Sequence, residues 1–174
     1  MQETYDLGET LIDAVSHIAS LDLVHRDLKP ENIMFREDGA TPVIVDFGMV
    51  RMLSETSITE SWQPRGPGTP FYAAPEQLNN DKHLIDWRTD QYALGILLAE
   101  ATFGYHPFKD QGEDDHAAVD KVARRLQPSA RFRTDTALCG LQVLAEMVKP
   151  WPSQRVRMPA GLAKSWRNQE VKSI

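Results

Sequence analysis

A single cysteine, Cys139, stands in a chain of 174 residues, which excludes an internal disulfide framework and fits a reducing compartment. A small buried apolar residue on a helix accounts for it better than a reactive thiol does. Basic residues are too few to outweigh the acids: 19 Lys and Arg face 25 Asp and Glu, a net charge of −6. That removes the electropositive surface a nucleic-acid partner requires. Long apolar runs are missing too. The longest, around Tyr92 to Ala99, is too short to span a bilayer, so no membrane contact is expected within this chain. Residues 1–24 are interrupted by Glu3, Asp6, Glu9, Asp13 and Asp22 and do not resemble a signal peptide. The expectation is a soluble, cytoplasmic chain, and a membrane-tethered parent is also compatible with it. Repeats and low-complexity tracts are absent, and His17, His83, His106 and His116 are scattered without metal-ligand spacing, as surface or packing residues are.

What is there suits one domain with a core of its own, since 41% of residues are hydrophobic and 25% charged. Leu7, Leu11, Val15 and Ile18, joined by Ile12 and Ala19, predict a helix over about residues 3–21. Ile33-Met34-Phe35 and Val43-Ile44-Val45 flank the turn signal Glu37-Asp38-Gly39. They predict a small hairpin with residues 25–32 at one end and Asp46 at the other. Residues 51–70, rich in Ser, Thr, Pro and Gly, read as a long functional loop. From Thr89 to Phe103 apolar residues surround the helix instead of forming a stripe, which predicts a central buried helix. Further helices are expected over about 114–126, 136–148 and 159–167, with Pro150 and Pro152 breaking the chain before the last. Arg124 and Arg125 read as the solvated end of the first of these. The pattern is mainly α within an α+β family: one unit over 1–167 and a polar tail at 168–174.

The most informative stretch is His25-Arg26-Asp27-Leu28-Lys29-Pro30-Glu31-Asn32. A carboxylate two residues before a lysine suits phosphoryl transfer: Asp27 takes a proton, or orients the attacking hydroxyl, and Lys29 offsets charge building on the phosphoryl group. Asn32 offers a neutral carbonyl oxygen, a hard ligand suited to magnesium beside phosphate oxygens. A lone His-Arg-Asp occurs by chance in loops; the full eight-residue run does not read as an accidental polar loop. The second carboxylate comes in Asp46-Phe47-Gly48, at the end of the apolar run 43–45. It can lean into a cleft and bind magnesium bridging two phosphates. Alone that triplet is an ordinary strand-end turn; after the first motif and one short hairpin it is a strong signal. The third element is Gly68-Thr69-Pro70-Phe71-Tyr72-Ala73-Ala74-Pro75-Glu76.

Together these motifs resemble the catalytic loop, the D-F-G and the A-P-E elements of eukaryotic-type (Hanks-type) protein Ser/Thr kinases. From about Glu3 to Arg167 the chain looks like the C-terminal lobe of that family. The resemblance implies Asp27 and Lys29 as catalytic residues, and Lys29, Asn32, Met34 and Asp46 as nucleotide-binding residues, Met34 packing under adenine. It implies Asn32 and Asp46 as magnesium ligands, and ATP and Mg2+ as cofactors, both held weakly by the lobe alone. Thr69 is placed to hydrogen-bond Asp27 and Lys29. Asp90, in Asp90-Gln91-Tyr92-Ala93-Leu94-Gly95, resembles the residue that braces the catalytic loop. Arg155 resembles the partner of Glu76 in an ion pair, although Trp151 stands where the family more often has Asp. His25 with Phe47 resembles the lower half of a packed hydrophobic spine. Arg26 marks the subclass switched on by phosphorylation, with Thr56, Ser57, Thr59 and Ser61 as candidate acceptors and Arg51 as a second phosphate holder. An unmodified polar loop is the plainer reading of any one of those hydroxyls. Lys29 with Gly68-Thr69-Pro70 points to Ser/Thr rather than Tyr in a protein substrate.

The family's ATP clamp, a G-x-G-x-x-G loop with a strand Lys and a helix Glu, has no counterpart in these residues: the first Lys is Lys29 itself. The expectation is therefore a C-lobe without an N-lobe, with no useful turnover by itself. Three readings follow. The chain is the C-lobe portion of a Ser/Thr kinase, a stand-alone binding or scaffold module, or half of a split enzyme completed by an N-lobe on another chain. A lobe of this kind should expose an apolar face around Met34, Phe47 and the helix near Glu3.

Overall fold

The computed structural model describes residues 2–47, 51–52 and 69–172 of the chain. Eight helices and four short strands lie in the described residues. They are α1 (Gln2–Ser20), β1 (Leu23–Val24), β2 (Ile33–Phe35), β3 (Pro42–Ile44), β4 (Arg51–Met52), α2 (Thr69–Tyr72), α3 (Pro75–Leu78), α4 (Trp87–Phe103), α5 (Asp115–Ala123), α6 (Ala130–Leu138), α7 (Gln142–Met147) and α8 (Pro159–Arg167). The fold is mainly helical, with two two-stranded antiparallel sheets, β1 with β4 and β2 with β3.

α4 is the axis. Its N-terminus is capped by Asp86, whose carboxylate accepts the Arg88 N–H at 2.8 Å. Every residue from Trp87 to Ala99 except Arg88 is buried, so the helix is enclosed on all sides, as its pattern predicts. Gly104 ends it at φ 73°, a left-handed conformation glycine adopts without cost, and its N–H closes on the Glu100 carbonyl. α1 lays Leu11, Ile12, Val15 and Ile18 into the same core and leaves Glu3, Asp6 and Asp13 outside. Burying each such aliphatic side chain contributes roughly 1.5–3 kcal/mol.

α8 locks onto the start of α1. The Trp166 ring stacks on Tyr5, with centroids 5.6 Å apart. The indole N–H donates to the Tyr5 carbonyl and the Tyr5 hydroxyl donates to the Trp166 carbonyl, both at 3.1 Å. Only a glycine at position 8 lets the indole come this close: a Cβ there would lie 2.3 Å from Trp166 Cζ2. Outside this contact, Arg167 pairs with Glu9 and Asp13.

Three details depart from the sequence reading. The expected helix over 136–148 is two helices, α6 and α7. Ser129 starts the first by accepting the Phe132 N–H, well before the expected position. Gly140, at φ 73°, breaks the run, and the Glu170 carbonyl approaches so closely there that a Cβ would meet it at 2.1 Å. Second, Ile33 pairs with Ile44, so the hairpin carries residues 25–32 and Asp46 at the same end rather than at opposite ends. The Val45 N–H on the Asn32 carbonyl, 2.9 Å, continues that ladder. Third, Leu23-Val24 is a strand paired with Arg51-Met52, a long-range partnership that local periodicity does not reveal. Cys139 is buried at the C-cap of α6.

Candidate active site

The loop at 25–32 is held by α4. The Asp90 carboxylate accepts the His25 N–H at 2.7 Å and the Arg26 N–H at 2.8 Å, one on each oxygen. Complete burial pushes this carboxyl up to about 7, against these two bonds, which favour the anion. Arg26 sits at φ 69°, a left-handed conformation costly for a residue with a Cβ. Asp90 holds it there together with Gln77, whose amide donates to the Arg26 carbonyl at 2.8 Å.

That bend presents Asp27. Its Oδ2 lies 2.9 Å from Lys29 Nζ and accepts the Asn32 amide at 3.2 Å, and the same amide donates to the Asp27 carbonyl at 2.7 Å. Among the described residues both partners fall on Oδ2. Asn32, buried in the turn Pro30–Asn32, uses its amide N–H groups on Asp27 and keeps a carbonyl oxygen for a cation.

His25 is fully buried. Its Nδ1 accepts the Asp27 N–H at 3.4 Å, so Nε2 carries the proton and donates to the Val45 carbonyl at 3.1 Å. Burial pushes its pKa down, consistent with a neutral ring. The ring meets Phe47 edge-on at 5.1 Å. Thus His25 ties the loop to the far strand of the hairpin, next to Asp46. Asp46 is exposed, at φ 60°. One carboxylate and one amide oxygen on neighbouring strand ends are a hard donor set that suits magnesium, which keeps several waters and phosphate oxygens of its own. Among the described residues no cluster of three or more His, Cys, Asp or Glu forms a complete protein cage for a metal. Met34, Phe35 and Phe47 are 58%, 53% and 49% exposed, an apolar face beside this end of the hairpin.

The segment after residue 68 packs against the loop: Arg26, Asp27 and Leu28 share a crevice with Tyr72, Ala73 and Gln77. Its far end is anchored by Glu76 and Arg155, whose side chains are both 0% exposed. Two bonds join them, 2.6 and 2.9 Å, and Thr89 donates to the same carboxylate at 3.0 Å. Arg155 also donates to the carbonyls of Lys149, Arg88 and Pro150.

Several contributors escaped the sequence reading. Gln77 bridges the Arg26 carbonyl and the Ala74 N–H. The Tyr72 hydroxyl donates to Glu100 at 2.6 Å, and burial raises the Glu100 pKa. His106 is buried against Phe71. Arg125 is a packed residue instead of a solvated helix end, with its guanidinium 4.0 Å over the Trp151 ring and paired with Asp81. Apart from the Gln77–Ala74 bond, these contacts join residues far apart in the chain, and nothing local announces them. Thr56, Ser57, Thr59 and Ser61 lie outside the described residues, as do Gly48 and Gly68 and the side chains of Arg51 and Thr69.

Comparison with known proteins agrees with this geometry. The family model "Protein kinase domain" matches residues 1–167. The chain is 35% identical over 133 residues to the serine/threonine-protein kinase PrkC of Bacillus subtilis, covering 75% of this chain and 19% of that one. It is 38% identical over 103 residues to the cAMP-dependent protein kinase catalytic subunit 3 of Drosophila melanogaster, covering 58% and 16%. It is 41% identical over 95 residues to the serine/threonine-protein kinase PknL of Mycobacterium tuberculosis, covering 55% and 22%. The aligned part is thus about a fifth of these relatives' length. With a catalytic loop braced by Asp90, a Glu76–Arg155 anchor and a family match over nearly its whole length, the chain belongs to the protein kinase family, among the Hanks-type serine/threonine kinases.

Proposed function

We propose that this chain is the C-lobe of a protein serine/threonine kinase, built to receive the γ-phosphoryl group of ATP onto a Ser or Thr hydroxyl of a protein substrate. The observation that carries the reading is the arrangement at Asp27. Its Oδ2 is held by Lys29 and Asn32, so the carboxylate has one fixed orientation, with Oδ1 turned to the incoming hydroxyl. Asp27 orients that hydroxyl and takes its proton as the oxygen bonds to the γ-phosphorus and the bond from that phosphorus to the bridging oxygen breaks, releasing ADP. Lys29 stays beside the developing charge. Asn32 and Asp46 would hold magnesium, which supplies charge neutralisation on the phosphate oxygens when bound. Positioning and electrostatics are most of this chemistry. The 174 residues contain no glycine-rich loop or lysine ahead of Lys29, so these residues alone turn over poorly, with weak binding of ATP and Mg2+.

Calorimetry with Mg-ATP and a phosphate-transfer assay on a Ser/Thr peptide library test this. The expected outcome is weak, magnesium-dependent nucleotide binding, lost in Asp46→Ala, with no transfer by the chain alone. Transfer by the purified chain that disappears in Asp27→Ala would overturn the predicted incapacity. Transfer by a form carrying an ATP-binding lobe should fall about 100- to 10,000-fold in Asp27→Asn; an unchanged rate would overturn the kinase reading.

The exposed face formed by Met34, Phe35 and Phe47 favours a covering lobe over a free-standing scaffold module, whether it comes from the same chain or from a second one. Sedimentation of the chain with a separately made kinase N-lobe separates these readings: a scaffold module leaves the N-lobe free, whereas a split enzyme gains activity with it.

A further inference from the structure

His106 lies outside the catalytic machinery, yet it is 1% exposed and fully engaged. The reason begins at Phe71. Helix α2 has only four residues, Thr69–Tyr72, so its last carbonyls have no partner within it. In a continuing helix the Phe71 carbonyl would take the N–H of residue 75, but that residue is Pro75, which has none. A partly buried carbonyl left this way gains from a donor elsewhere. His106 supplies it, with Nε2 3.0 Å from the Phe71 oxygen. The donor role is fixed by the ring's other side. The Phe108 N–H points at Nδ1 at 3.2 Å, so Nδ1 is the acceptor and the single proton of a neutral ring sits on Nε2. The ring also packs on Phe71 at 4.2 Å between centroids. The next residue, Tyr72, is tied to Glu100. Two successive residues of the segment beside Asp27 are therefore fastened to the end of α4 and the loop that follows it.

We propose that His106 is a positioning residue: its Nε2–H caps the open end of α2 in place of the missing Pro75 amide and thereby holds Phe71 and Tyr72, the turn beside Asp27, in the geometry that docks a peptide. The docking role rests on the kinase reading above; the cap itself does not. Burial holds the His106 pKa down at about 4, with Asp115 favouring the charged form and Lys109 opposing it, so the neutral donor persists through the physiological range.

Two variants separate the ring's two bonds. His106→Asn keeps an acceptor for Phe108 but cannot reach Phe71, whereas His106→Gln places an amide donor near the position of Nε2. Amide hydrogen exchange read over residues 70–76 should quicken about 5- to 150-fold in His106→Asn, with residues 93–99 of α4 unchanged, and should return toward the original rate in His106→Gln. Unchanged exchange at 70–76, or equal acceleration in α4, overturns the proposal. The unaltered chain provides a check that needs no variant. Its imidazole nitrogen spectrum should show a protonated Nε2 and a bare Nδ1 at pH 7, and the opposite tautomer overturns the cap. A chain that passes these tests while transfer by the form carrying an ATP-binding lobe proves indifferent to Asp27→Asn keeps the cap and loses the kinase reading.

Discussion

Replacing either member of the Glu76–Arg155 pair should be among the most damaging single changes in this lobe, and the two replacements should not be equal. Both side chains are wholly buried, joined by bonds of 2.6 and 2.9 Å. Removing one partner of such a pair costs roughly 3–5 kcal/mol, because the other charge stays in a poorly solvated site. After Glu76→Leu, Arg155 still donates to the carbonyls of Lys149 at 2.8 Å, Arg88 at 3.0 Å and Pro150 at 3.3 Å. That places the loss near about 3 kcal/mol. After Arg155→Met, the Glu76 carboxylate keeps only the Thr89 hydroxyl among its described partners, which places the loss at about 5 kcal/mol. At about 2–4 °C per kcal/mol for a chain of this size, the melting temperature falls by roughly 6–20 °C. The double variant, with no charge left to strand, should recover part of the loss, so that the two changes are non-additive by at least about 1 kcal/mol. Urea and thermal unfolding followed by circular dichroism measure all three. A single substitution costing under about 1 kcal/mol, additive losses, or Glu76→Leu proving worse than Arg155→Met would refute the reasoning.

Gly8→Ala drives a methyl to 2.3 Å from Trp166 Cζ2. It should destabilise by about 1–3 kcal/mol, with Trp166→Phe in the same chain relieving part of the strain; equal melting temperatures for the original chain and the Gly8→Ala variant would contradict the close packing. Acid should weaken the fold through His106, whose pKa is about 4 when folded against 6.5 ordinarily. Between those values the unfolded chain binds the proton more readily, so stability falls as pH drops from 6.5 to 4 and is unaffected above 6.5. The loss amounts to about 3 kcal/mol. Urea midpoints at about pH 7 and pH 4.5, compared with those of His106→Gln, isolate this histidine from His25 and Asp90; parallel pH profiles would count against a neutral buried ring.

Helices with a one-sided or all-round apolar pattern are legible because burial imposes the period directly: α1 and α4 lie within two residues of their expected starts, and α8 has its expected bounds. The same logic fails over 136–148, where apolar residues continue through Gly140 but the backbone cannot, since the Glu170 carbonyl occupies the space of a side chain. The catalytic loop is legible as a run of residue types. Its supports are less so: Gln77, Glu100 and His106 act through bonds to partners roughly 30–50 residues away, and a lone polar residue carries no mark of such a partner. One signal is present in the sequence all the same. Pro75, four residues after Phe71, already implies a carbonyl in need of a donor.

The bracing of the catalytic loop by Asp90 has a consequence for time as well as for shape. The acceptor for the His25 and Arg26 amides lies 65 and 64 residues downstream, and contacts of that separation form late because a long loop must close first. A nascent chain that has already emerged through Asn32 carries every letter of the signature and none of its geometry. Of the two side chains that hold the left-handed bend at Arg26, Asp90 is not in place until α4 is made and packed. The placement of Asp27 therefore reports on completion of the helical core.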